Sequence, residues 1–276
     1  MKKTFDAKNS LELEIRGGLG NQLFQLVGAI SQAKRLGVDL IVNESALRRH
    51  SDYTRQNWVK YLELDQLTKD TEIKWKSDTK LLSRFKSRNQ LQVDEETVIN
   101  LKSVSGNLRF RGWFQESKFP LSLDIAKDSL QPKSISTRIK IHAENIINSA
   151  NLCGIHFRFG DFIETSWGVI PEEWYAKVFK ELEGSGIEEL HIYSDDNEMA
   201  REVISKIPQN YRIIFPEQER IFLPHELLWT MRHYQSFVSS NSTLSWWASY
   251  LNLGQNSKIY CKWDDHLYLE PWIRLH

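Results

Sequence analysis

Leu11-Glu12-Leu13-Glu14-Ile15-Arg16-Gly17-Gly18-Leu19-Gly20-Asn21-Gln22 decides the fold. Its first five residues alternate apolar and charged, the period of a strand with one buried face. Glycines then break the pattern, and Leu23, Leu26, Val27 and Ile30 recur at helical spacing. Gly37 is placed to stop that helix, and Leu40-Ile41-Val42 reads as the next strand. Strand, glycine turn, helix and strand form the unit that builds a parallel sheet.

The same alternation returns after residue 150. Leu152-Cys153-Gly154-Ile155-His156-Phe157, Leu190-His191-Ile192-Tyr193, Arg212-Ile213-Ile214-Phe215, Ser236-Phe237-Val238 and Lys258-Ile259-Tyr260-Cys261 read as strands. Helical patterns fill the gaps: 173–183, a helix from near Asp196, 223–234 and 244–251. Short strands alternating with helices predict a doubly wound α/β sheet. Between the two regular parts, residues 46–145 read mostly as helix with a weak strand near 108–110. Lys74, Lys76, Lys80, Arg84, Lys86 and Arg88 interleave there with Trp75, Leu81, Leu82 and Phe85, the pattern of an amphipathic helix. That helix is either a solvated face or a surface for an anionic membrane or acceptor. The polar stretch 145–151 sets the expected boundary: an N-terminal α/β domain over 1–148 and a C-terminal one over 149–276.

Composition narrows the function. The chain has 276 residues, with 36 Lys plus Arg against 36 Asp plus Glu. That balance argues against a broad nucleic-acid face, which needs excess cations. No run of about 18 apolar residues could span a bilayer, and charges at Lys2, Lys3 and Asp6 interrupt any secretory h-region. Two cysteines, Cys153 and Cys261, are too few for a disulfide framework. The expectation is a soluble, reduced, cytoplasmic protein.

Ligands of such sheets bind beyond the carboxyl ends of the strands, which singles out four loops. Gly17-Gly18-Leu19-Gly20-Asn21-Gln22 is either a tight turn or a backbone surface for an anion. His156-Phe157-Arg158-Phe159-Gly160-Asp161-Phe162 offers a guanidinium able to fork onto phosphate oxygens, with Asp161 to orient it or take a proton. His156 is either catalytic or a hydrogen-bonded strand residue. Ser194-Asp195-Asp196-Asn197 could bind a purine, a ribose or a metal, and at least one of its carboxylates should cap the next helix. Ser239-Ser240-Asn241-Ser242-Thr243-Leu244-Ser245-Trp246-Trp247 puts hydroxyls at a helix start, a ready phosphate site or an ordinary cap. Trp246 and Trp247 read as helix core.

In this order the four loops, together with Gly112-Trp113-Phe114-Gln115, resemble the α-1,2-fucosyltransferases of glycosyltransferase family 11 over about residues 11–263. The resemblance implies a GT-B-like α/β fold, two Rossmann-like domains facing across a cleft. It implies GDP-β-L-fucose as donor on the C-terminal domain, inversion at the anomeric carbon, and an α-1,2 link to a galactose-containing oligosaccharide bound on the N-terminal side. No cofactor or metal is implied. Arg158 would hold the phosphates. Asp195 and Asp196 would border the guanosine, and Asn241, Ser242 and Thr243 the pyrophosphate. Asn21 and the backbone of Gly17, Gly18 and Gly20 would close the cleft. Asp161 would be the general base, with Glu164 and His156 behind it. The family's second arginine and its tyrosine are here Phe159 and Phe162. A lipid-linked surface-glycan precursor would suit a cytoplasmic enzyme of this kind, with at most peripheral membrane contact. Competing readings are a transferase using another nucleotide sugar, a metal site at Asp195-Asp196, and a non-catalytic carbohydrate-binding protein suggested by ten Trp.

Overall fold

The strand–glycine–helix unit forms as its periodicity requires. In the computed structural model β1 (Asn9–Glu14) leads through Gly17 into α1 (Leu19–Leu36), which ends at Gly37 in the left-handed region, φ 64°. The structure describes residues 9–47, 56–69, 71–77, 92–115, 129–164, 168–218, 222–253 and 256–276. After α1 come β2 (Asp39–Asn43), β3 (Ile73–Lys76), β4 (Gln92–Val93), the short α2 (Glu95–Asn100) and β5 (Gly106–Phe110). They make a parallel sheet of order β3-β2-β1-β5-β4.

The expected solvent face of β1 is covered instead. Glu12 and Glu14 are 0% and 2% exposed. Burying a carboxylate costs several kcal/mol unless it is paired, and both are paired across the sheet. Glu12 accepts from Asn43 at 2.7 Å and Asn107 at 3.0 Å, with Lys76 at 3.5 Å. Glu14 takes Arg109 and Arg111, each at 2.5 Å. Burial pulls the Glu12 carboxyl upward. Its hydrogen bonds and the charges of Lys76 and Arg109 outweigh this and hold it below its ordinary value.

Residues 46–145 also differ from expectation. Among the described residues they are mainly strands and turns, with helix chiefly in the 3-10 turn Trp58–Tyr61, α2, Ser129 and part of the next helix. Lys74, Trp75 and Lys76 lie in β3 rather than a helix, because their alternation pairs with β2. Lys80, Arg84, Lys86 and Arg88 lie outside the described residues. No described helix is long and apolar enough to cross a membrane.

The second unit holds α3 (Thr137–Ile147), β6 (Leu152–Phe157), α4 (Glu172–Leu182), β7 (Glu189–Ser194), α5 (Asn197–Lys206) and β8 (Arg212–Ile214). It continues with α6 (Pro224–Met231), β9 (Ser236–Val238), α7 (Thr243–Tyr250), β10 (Lys258–Cys261) and β11 (Ile273–Arg274). The sheet is parallel in the order β11-β10-β9-β6-β7-β8. The chain winds from β6 outward to β8, then returns to lay β9 on the other side of β6. The order reverses between β6 and β9, and a crevice opens at such a switch point. β6 is buried along its whole length, as a central parallel strand must be. At Gly154 a Cβ would come within 2.7 Å of the Tyr234 ring, so glycine lets that ring lie on the strand. The compact units divide between Lys133 and Ser134, earlier than residue 148, because α3 packs on α6 and so joins the second sheet.

A buried polar chain ties α3 to this sheet. His191 lies 2.6 Å from Glu189 and 2.6 Å from Tyr234, Tyr234 lies 2.8 Å from Tyr193, and Tyr193 lies 2.8 Å from His142. With neutral rings the protons have one arrangement. His191 donates through Nε2 to Glu189, so its Nδ1 accepts from Tyr234. Tyr234 then accepts from Tyr193, which accepts from His142 Nε2–H. Burial, the nearby His191 and Arg138 push His142 down to about 4. Burial and Arg232 push His233 down to about 4, and burial lowers His191 despite Glu189.

A depressed histidine leaves the folded chain neutral where the unfolded chain takes a proton. Stability is therefore full above about pH 6.5 and falls as pH drops toward 4. Urea unfolding followed by near-ultraviolet circular dichroism should lose about 1–2 kcal/mol per histidine between pH 7 and pH 5. His142→Gln, which keeps the donor and removes the titration, should flatten that slope. Equal midpoints at the two pH values would contradict the neutral chain.

Candidate functional site

The switch point of the second sheet gathers the residues that the sequence singles out there. Arg158 follows the last residue of β6. Its guanidinium bonds Asp161 at 2.7 Å and Asp195 at 2.9 Å. These bonds commit two of the five N–H groups of an arginine. The Arg158 side chain is 31% exposed, and the Phe162 ring lies 5.6 Å from it. The second oxygen of Asp195 accepts the Phe159 N–H at 2.9 Å, so β7's end is tied to β6's end. Gly160 stands at φ 23°, and a Cβ there would meet Asp195 at 2.4 Å. Only glycine allows the carboxylate to come this close.

His156 spans the two central strands. Its Nδ1 lies 2.7 Å from the Ser240 hydroxyl beyond β9. That hydroxyl also accepts from Ser242 N–H at 3.3 Å, so His156 ties the end of β6 to the start of α7. Burial, then the charge of Arg158, pushes His156 down to about 3. The ring is thus a neutral brace between the two strand ends. Asp161 is exposed in the 3-10 turn Gly160–Glu164, where Glu164 is exposed as well.

The serine loop divides its labour. Ser239, Ser240 and Ser245 are buried and bonded to one another, and Trp263 donates to Ser239 at 3.2 Å. Asn241 donates to the Gly168 carbonyl at 2.9 Å. Ser242 occupies the N-cap position of α7, but its side chain makes no capping bond. Thr243 is the first helical residue. Trp246 and Trp247 are core, 2% and 0% exposed. Asp196 caps α5 through Met199 N–H at 3.0 Å, the capping expected of one of the two carboxylates. The position of the second arginine, Phe159, is 1% exposed and stacks on Phe157 at 5.7 Å. A side chain there points into core and brings no cation to the edge.

The first sheet has its own switch point, between β1 and β5. Gly17 turns the chain at φ 80°, and a Cβ there would meet Asn21 at 2.9 Å. Gly18 is the N-cap residue of α1, and Gly20 lies in its first turn. Asn21 accepts from Gln115 at 2.9 Å, joining the helix start to the loop after β5. Two buried glutamines fix the turn. Gln22 donates to the Gly17 carbonyl at 2.8 Å, and Gln25 pairs with both backbone groups of Arg16 at 2.8 and 3.1 Å.

Glu217, in the turn Pro216–Gln218, escaped the sequence reading because it follows β8 without any pattern. Burial pushes its carboxyl up and backbone N–H groups of Phe222 and Ser194 pull it down. The Asp195 charge pushes it up again, to about 7 in all. Among the described residues no cluster of three His, Cys, Asp or Glu is arranged to hold a metal ion.

No family model matches the chain. Over 95% of this chain and 99% of its own length, the O-antigen biosynthesis glycosyltransferase WbnK of Escherichia coli is 24% identical. An alpha-1,2-colitosyltransferase of Escherichia coli is 21% identical over 86% of each. Among solved structures, POFUT1 in complex with GDP-fucose superposes with a TM-score of 0.58 at 13% identity, covering 94% of this chain and 99% of its own. The fucosyltransferase NodZ from Bradyrhizobium gives 0.56 at 10% identity, over 88% and 91%. The chain has the GT-B fold of the fucosyltransferases. These similarities agree with the resemblance to family 11, and in class the chain is a glycosyltransferase.

A raised carboxyl binds a proton in the folded state that the unfolded state releases. Its contribution is full below about pH 4.5 and is lost as pH rises through about 7. Glu217→Gln should therefore stabilise the protein more at pH 8 than at pH 5, by about 1–2 kcal/mol in urea unfolding. A gain independent of pH would show that the Glu217 carboxyl is ionised throughout.

Proposed function

We propose that the chain transfers L-fucose from GDP-β-L-fucose, with inversion, to the 2-hydroxyl of a galactose in an oligosaccharide or surface-glycan precursor. The observation that carries this reading is the Arg158 guanidinium, held by two carboxylates at the switch point beside the start of α7. A departing GDP gathers negative charge on its β-phosphate. Fixed donors aimed at that charge cost no reorganisation during the reaction. Arg158 retains N–H groups for phosphate oxygens. The Ser242 hydroxyl and the backbone N–H groups at the α7 start supply the rest. Asn241 holds the loop in place through Gly168. The donor domain needs no metal in this scheme.

Asp195 and Asp196 have structural tasks, orienting Arg158 and capping α5, so their place beside the guanosine rests on the family resemblance alone. The acceptor hydroxyl attacks the opposite face of an oxocarbenium-like centre. Asp161 is the proposed base, worth about 10²- to 10⁴-fold, because its carboxylate is exposed beside Arg158. His156 braces Ser240 and takes no proton.

The colitosyltransferase relative favours a second reading, in which the donor sugar is colitose, fucose without its 3-hydroxyl. The donor domain would be the same, so a panel of nucleotide sugars read by nucleotide release separates the two.

Arg158→Ala should lower transfer from GDP-fucose by about a hundredfold or more while leaving the melting temperature within a degree or two of the parent. GDP affinity measured by calorimetry should fall with it, and wild-type turnover should persist in EDTA. A folded Arg158→Ala protein that turns over at the parental rate would remove the phosphate clamp from the mechanism.

A further inference from the structure

We infer that Trp113 is the stacking platform for the acceptor sugar, an inference that rests on the proposed transfer to a galactoside. Trp side chains are mostly buried on average, and Trp113 is 39% exposed. It lies in the loop beyond the carboxyl end of β5, and β5 neighbours β1 at the switch point of the first sheet.

The backbone around it is held in a costly conformation by several independent contacts. Phe114 has φ 52°, a left-handed value for a residue with a bulky side chain. Its N–H donates to Glu95 at 2.7 Å. Its ring is 0% exposed and fills a notch at Gly28 of α1, where a Cβ would lie 2.3 Å from it. The Phe110 ring meets it edge-on at 6.0 Å. On the other side of Trp113, a Cβ on Gly112 would strike the Glu95 carboxylate at 2.3 Å. Strain of this kind persists only where neighbours over-determine it, and it gathers at functional sites. Here it anchors Phe114 inward while the adjacent Trp113 stays outward.

The indole is also oriented. The Arg16 guanidinium lies 4.5 Å from its ring centroid, and Gln25 pins the backbone of Arg16 at both its N–H and its carbonyl. Arg16 covers one face of the indole, and the apolar C–H face of a pyranose packs on indole surface that the guanidinium leaves uncovered. The donor's charged half finds its partners in the second unit, so the aromatic platform is assigned to the neutral acceptor.

The test uses GDP-fucose with lactose as acceptor. Trp113→Ala should raise the KM for lactose about tenfold or more, with the Kd for GDP unchanged by calorimetry. Trp113→Phe should recover most of the loss. Saturation-transfer NMR should show lactose ring protons receiving magnetisation from the parent protein and not from Trp113→Ala, independently of turnover. Unchanged lactose KM in Trp113→Ala, a parallel loss of GDP affinity, or no saturation transfer to lactose in the parent would each overturn the platform. Absence of GDP binding and release in the parent, with saturation transfer intact, would overturn the proposed transfer reaction and leave the lactose platform standing.

Discussion

An arginine at the mouth of a parallel sheet must be held if it is to act on a ligand. A free guanidinium would sample many rotamers, and ordering it during binding would cost up to about 2 kcal/mol of side-chain entropy. Arg158 meets this cost in advance by bonding Asp161 and Asp195. The rest of the second unit follows from that requirement. Asp195 can reach Arg158 only because Gly160 has no Cβ. It keeps its angle because the Phe159 N–H takes its other oxygen. Phe159 stays put because its ring is packed on Phe157. His156 then joins β6 to the loop after β9, so the guanidinium and the α7 start belong to one rigid edge.

The first unit solves a similar problem with different chemistry. Its central strand carries two buried carboxylates, and their neutralisation by Arg109, Arg111 and Lys76 fixes the register of β1 against β5 and β3's neighbour β2. A slip of one residue would carry both acids to the opposite face. With the register set, the loops after β1 and β5 meet through Asn21 and Gln115, and the backbone at Gly112–Phe114 is pressed into its strained form.

Much of this was legible in the sequence, and the misses have physical causes. The strands of the second sheet showed as apolar runs because central parallel strands are buried on both faces. β4 and β11 have two residues each, too few to show a period. Lys74-Trp75-Lys76 mimicked half a helix turn and half a strand, and only pairing with β2 decides between them. Glu12 and Glu14 read as a wet face because their partners lie some thirty to a hundred residues away along the chain. In the site, Arg158 and the α7 start stood out from chemistry and position. The difference between Asp195 and Asp196 did not, since adjacent carboxylates point to different partners only once φ and ψ are known. Trp113 was visible as part of a motif, but its exposure depends on the Phe114 backbone and the Gly28 notch, which no spacing records.

The charge ledger at the Arg158 edge ties these details to the proposed chemistry. One guanidinium facing two carboxylates leaves the group at a net −1. A nucleoside diphosphate arriving there would be opposed by that charge, and the second cation that the resemblance implies at this point is replaced by Phe159. A third ionised carboxylate at Glu217 would make entry harder still. Burial and the Asp195 charge instead let Glu217 keep its proton up to about pH 7. The uncharged amide N–H groups at the start of α7 carry partial positive charge, and no acidic residue of that first turn cancels it. With Phe159 turned into the core, more of the work of meeting the leaving phosphate therefore falls on the helix terminus. Arg158 fixes where the phosphate sits and shares that work through its remaining N–H groups.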